Sequence, residues 1–166
     1  MRSLSIGRPF FLLALALPMP AAAQKAVIVI RHVENEGDRI TEVGRARAEH
    51  LTSTLGSAGV GAVYSTDSKR TIGTVTPFAE ARKLTVQLYD TADGTNGFDA
   101  RPFASRLRKD HPNDVVLVVG HVTTIPDLLK ALGCPDDVTV APLDYGDLFV
   151  VVPKGSGGAT LVRLKY

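Results

Sequence analysis

The chain has one cysteine in 166 residues, Cys134. No intrachain disulfide can form, so the core alone must hold the fold. Cys134 lies between Gly133 and Pro135 after a helical pattern, a structural rather than a reactive setting. A membrane-length apolar run is also missing. The stretch Phe10–Leu17 is too short for a transmembrane helix, which needs about 20 residues. Excess charge is scarce as well. The formal net charge is +2, and residues 1–23 hold Arg2 and Arg8 but no acid, so beyond them 17 basic residues face 17 acidic ones. That balance offers nothing to recruit nucleic acid or a membrane surface. There is no H-E-x-x-H motif or cysteine cluster to hold a metal. Internal repeats, interdomain linkers and low-complexity tracts are absent too.

What is present starts with a leader pattern. Arg2 and Arg8 precede the apolar Phe10–Leu17, and Ala21-Ala22-Ala23 follows. This order predicts a secretory signal peptide over 1–23, cut after Ala23. Residues 24–166 then form one domain with one core. The expected location is periplasmic or secreted, with no stable membrane insertion after cleavage.

The mature part is organised around Ala26–Asp38. Its five apolar residues Ala26–Ile30 predict a strand buried on both faces, and ligands usually sit at the carboxyl end of such strands. Arg31 and His32 stand there. Val115–Val119 repeats the plan and leads into Gly120 and His121. If the two strands are parallel neighbours, His32 and His121 open onto one crevice.

Between them, Thr41 reads as a helix N-cap, with Gly44, Ala48, Leu51 and Leu55 on one face. Ala62–Ser65 is a strand candidate running into the capping cluster Thr66-Asp67-Ser68. Lys69 and Arg70 then open a helix through Ile72, Val75 and Phe78. Basic residues at a helix start oppose its dipole, a conflict relieved if an anion binds beside Arg70. Thr85–Leu88 is a further strand, followed by a turn-rich segment with Gly94 and Gly97. Helices are expected over Arg101–Asp110 and from Thr124, and a closing hairpin over Asp147–Val152 and Ala159–Leu164. Strands alternating with helices predict an α/β protein, a three-layer α/β/α sandwich with a mostly parallel central sheet.

Arg31, Arg70, His32 and His121 make a coherent set. Two guanidiniums suit a phosphate dianion, because their planar donors bind its oxygens in pairs. An imidazole attacks phosphorus when one ring nitrogen is free and the other is pinned. A second, protonated imidazole steadies the equatorial oxygens, and a carboxylic acid must protonate the leaving alkoxide. His50 and His111 lack such surroundings and read as surface residues.

These segments resemble those of the histidine phosphatase, or phosphoglycerate mutase-like, superfamily over most of the mature chain. Arg31-His32 with Glu34 looks like its R-H-G-E opening, and Arg39–Gly44 is similar to its R-L-T-x-x-G segment. Ala62–Arg70 with Thr74 resembles its V-Y-S-S-D…R…T segment, and Val118–His121 its second histidine motif. The resemblance implies a phosphoglycerate mutase-like fold and a metal-independent phosphomonoesterase needing no cofactor. It implies that His32 is the phosphorylated nucleophile and that Arg31, Arg70 and His121 bind the phosphate. The acid is assigned to Asp90, with Asp93 behind it and Glu34 third. Val33 replaces the usual glycine or alanine and is expected to crowd the pocket, and Val122 replaces serine or glycine. The implied substrate is a small phosphorylated molecule: a sugar phosphate, an organic phosphate or a phosphoprotein. Two rivals are a catalytically silent phospho-ligand-binding module, favoured by Val33 and Val122, and a metallohydrolase using His32, Glu34 and His121. The adjacent arginines, which repel a divalent cation, oppose the second.

Overall fold

The computed structural model describes residues 24–91, 98–134, 137–155 and 157–166. The proposed leader and Asp93 lie outside these residues. Ala26–Arg31 forms β1, buried along its whole length. Its side chains alternate between two cores, as a strand covered on both faces requires. Val27 and Val29 pack on one side, with Phe103, Leu107 and Leu128. Ile28 and Ile30 pack on the other, with Leu51, Val75 and Phe78.

The loop after β1 is more ordered than a polar turn. Asn35–Glu36 (β2) and Arg39–Ile40 (β3) pair as a small antiparallel ribbon. Gly37, at φ +58°, turns between them, in the left-handed region open to glycine without a Cβ clash. Helix α1, Glu42–Thr54, starts at Thr41, whose hydroxyl accepts from the Gly44 amide. Val60–Ser65 (β4) leads into α2, Lys69–Arg82, capped by Ser68 and continuous through Pro77. Then follow β5 (Val86–Leu88), α3 (Ala100–Asp110), β6 (Val115–Gly120) and α4 (Ile125–Ala131). The hairpin β7 (Asp147–Pro153) and β8 (Ala159–Lys165) closes the chain.

The sheet order is β5-β4-β6-β1-β7-β8. β5, β4, β6 and β1 run parallel, while β7 and β8 are antiparallel. Helices α1 and α2 pack against each other, as do α3 and α4, and the two apolar clusters lie on opposite faces of the sheet. This is the expected three-layer α/β/α sandwich. The chain leaves β1, forms β4 two places away, and later inserts β6 between them. That reversal puts the carboxyl ends of β4, β6 and β1 side by side, the usual ligand position in open α/β sheets.

Candidate active site

β1 and β6 are parallel neighbours, with Arg31 paired to Gly120. His32 and His121 each follow that last rung. His32 donates its backbone amide to the Gly120 carbonyl at 3.1 Å, and the two imidazole centroids lie 5.3 Å apart. The sequence expectation that both histidines share one crevice is met by this register.

Each ring is pinned at one nitrogen. The Nδ1 of His32 lies 2.9 Å from the Val33 carbonyl. A carbonyl can only accept, so Nδ1 carries the proton and Nε2 keeps its lone pair. Burial holds His32 below the ordinary imidazole value; the Val33 hydrogen bond opposes this, and Arg31 and Arg70 reinforce it. The Nε2 of His121 lies 3.0 Å from the Thr66 hydroxyl, itself 2.8 Å from that of Thr71. Burial, then His32, Arg70 and Arg31, lower His121 to about 4. Both imidazoles are therefore neutral at pH 7 in the free protein. The second imidazole, expected from sequence to be protonated, lacks its proton at neutral pH in the free protein, and a bound anion would raise its proton affinity.

Arg31 is buried and held from outside the motif. Its Nη1 donates to the carbonyls of Pro142 at 2.5 Å and Ala141 at 3.3 Å. Its guanidinium carbon sits 4.1 Å from the centre of the Tyr145 ring. Arg70 reaches from the first turn of α2, paired with Asp38 at 3.6 Å and donating to the Gly37 carbonyl at 3.4 Å. The Asp38 carboxylate also accepts from the Lys69 amide at 3.2 Å. The anion expected at this helix start is thus partly supplied by the chain itself. Both arginines keep a buried Nε–H with no hydrogen-bond partner.

These four side chains line a cavity of about 590 Å³. Thr91 and Phe98 form one side of it, and Val122, Thr123, Thr124 and Asp127 another. The Thr124 hydroxyl accepts from the His121 amide at 2.9 Å, fixing the turn after β6. Among the described residues, no group of three His, Cys, Asp or Glu side chains is placed to hold a metal ion.

Residues 27–93 match the model of the histidine phosphatase superfamily (branch 1). The match lies in the part of the chain that carries Arg31, His32 and Arg70. No curated protein matches this chain in sequence. Among solved structures, the protein histidine phosphatase SixA with tungstate superposes at a TM-score of 0.69 with 16% identity, covering 84% of this chain and 96% of that one. A putative alpha-ribazole-5'-P phosphatase from Escherichia coli gives 0.69 at 18% identity, covering 87% and 97%. A mycobacterial glucosyl-3-phosphoglycerate phosphatase with VO3 gives 0.68 at 16% identity, covering 85% and 98%. At such identities the likeness speaks for the fold.

Several details of the site differ from what the sequence motifs suggest. Val33 is fully buried and does not line the cavity. Its Cγ2 would lie 3.0 Å from a Cβ added at Gly44, so it packs under α1 and does not crowd the site. Val122 does line the cavity. Glu34 is clasped by Arg47, with Nε 3.0 and 2.9 Å from its two oxygens and Nη2 at 2.6 Å. That bidentate contact holds its carboxyl below the usual range and turns it away from metal binding or proton donation. Asp90 is exposed and is not among the lining side chains, although Thr91 beside it is. His50 is exposed, but His111 is half-buried between Tyr64 at 2.8 Å and Asp114 at 3.1 Å. Tyr145, Asp38 and Asp127 were missed in the sequence. Asp38, directly before Arg39, and Asp127, six residues after His121 in a helix start, stood near motifs.

Proposed function

We propose that this protein is an exported, metal-independent phosphomonoesterase working through a phosphohistidine on His32. The observation that carries the reading is the meeting of a neutral His32, its Nδ1 pinned, with a buried Arg31 and a half-buried Arg70 whose buried Nε–H groups lack partners among the described residues. Unpaired buried donors on cations are costly unless an anion accepts from them, and a tetrahedral phosphate offers oxygens to both.

His32 Nε2 attacks phosphorus, forming the N–P bond as the P–O ester bond breaks. Arg31 and Arg70 hold the equatorial oxygens, and His121 joins them once the bound dianion supplies its proton affinity. The leaving oxygen takes a proton from a carboxylic acid. Water then cleaves the phosphohistidine and releases inorganic phosphate. The substrate class is a phosphate monoester on a sugar, a small organic molecule or a protein, matching the phosphorylated compounds in the neighbours' names. The charged and apolar pattern of residues 1–23 supports export. Among the described residues no helix is long and apolar enough to cross a membrane.

The test is hydrolysis of 4-nitrophenyl phosphate with chelator present, by the protein and by His32→Ala. Chelator-resistant turnover lost in the variant is expected, together with acid-labile phosphate on the parent after quenching. Turnover that survives His32→Ala would refute the mechanism. Phosphate binding without turnover in either protein would favour the silent binding module.

A further inference from the structure

The acid is the one catalytic group that the motifs leave open. The phosphate cavity adjoins a second cavity of about 270 Å³. Among the described residues, two side chains line both, Phe98 and Asp127. Beyond them the second cavity is bounded by Asp99, Ala100 and Arg101 at the start of α3 and by Lys130 and Ala131 on α4, with both Asp99 oxygens engaged by the Arg101 side chain. Phosphate held by Arg31, Arg70, His32 and His121 occupies the first cavity, so its ester substituent needs somewhere to extend. The second cavity is contiguous, and Asp127 stands at the joint.

We propose that Asp127 is the general acid and that the leaving group lies across Phe98 in the second cavity; this rests on the phosphomonoesterase reading above. The position suits the role. In-line attack places the ester oxygen on the far side of phosphorus from His32 Nε2. A carboxyl group there repels the phosphate dianion when ionised, and a proton between them removes the repulsion. As the N–P bond forms, the P–O electron pair moves to the ester oxygen and Asp127 gives it the carboxyl proton. The resulting carboxylate then takes a proton from the water that attacks the phosphohistidine, which restores the acid. Asp127 is exposed at the first turn of α4, so replacing it leaves the core untouched. Asp90 does not line either cavity.

General acid catalysis matters most when the leaving group is a poor one. The experiment therefore compares kcat/KM on 4-nitrophenyl phosphate, whose leaving group departs readily as an anion, and on an alkyl phosphate such as glycerol phosphate. Asp127→Asn is expected to cut the alkyl value by about 100-fold or more, in the range typical of a lost general acid, with the nitrophenyl value little changed. Asp127→Glu should recover part of the alkyl activity, and Asp90→Asn should lose none selectively. An equal fall on both esters, no fall on either, or a selective alkyl loss in Asp90→Asn would overturn the assignment. If the parent protein fails to hydrolyse even the nitrophenyl ester, the phosphomonoesterase reading itself falls, an outcome distinct from a leaving-group effect that maps elsewhere.

Discussion

Anion binding should carry a proton into the site, and His121 sets the magnitude. In the free protein its imidazole sits at about 4, lowered by burial first and then by His32, Arg70 and Arg31. A doubly charged anion in the cavity opposes that cationic field, and an opposite charge within a few ångströms moves a pKa by roughly 1–3 units. Taking about 2, His121 rises to about 6 in the complex. At pH 5 it would then pass from about 9% to about 91% protonated, an uptake of roughly 0.8 proton. The sign follows directly. The complex binds more protons than the free protein, so affinity falls as pH rises, by roughly tenfold between pH 5 and 7 on these values. Sulfate is the right probe, because it stays a dianion throughout this window. Isothermal titration in two buffers of different ionisation enthalpy reads the uptake directly. Sulfate affinity that is flat from pH 5 to 7, or an uptake unchanged in His121→Gln, would refute the reasoning.

Two further perturbations test how the site is held. Tyr145→Ala removes the ring against Arg31, a contact worth about 0.5–2 kcal/mol, so sulfate affinity should weaken by roughly 2- to 30-fold; Tyr145→Phe should keep it, and equal loss in both variants would rule out the ring face. Gly44→Ala would place a Cβ 2.3 Å from the Glu34 carbonyl oxygen; a thermal melt should show a loss of about 1–3 kcal/mol, with reduced turnover because the displaced segment follows His32. An unchanged melting temperature would mean that the loop yields without cost.

Much of this architecture follows from sequence alone. The apolar run of β1, the repeat of that run before His121 and the caps at Thr41 and Ser68 are local signals. Burial periodicity and hydrogen-bonding caps act over a few residues, so they survive without tertiary context. Those signals placed four helices, the main strands and the Arg31, His32, Arg70 and His121 set. The three-layer fold followed from their alternation.

Tertiary structure decided what no local pattern encodes. Pairing β1 with β6, across more than 80 residues of chain, brought the two histidines within 5.3 Å. The loop carrying Ala141, Pro142 and Tyr145 returned to hold Arg31, about 110 residues away. The direction of a single side chain also depends on what packs over it. Val33 turned beneath Gly44 instead of into the pocket, and Glu34 went to Arg47. Asp127 reached the cavity wall because α4 starts at the edge of the crevice, while Asp90, nearer the expected loop, stayed outside it. Residue type and spacing specify which chemistry is possible. Distances between groups far apart in sequence, set by strand order and packing, decide which residues meet to perform it.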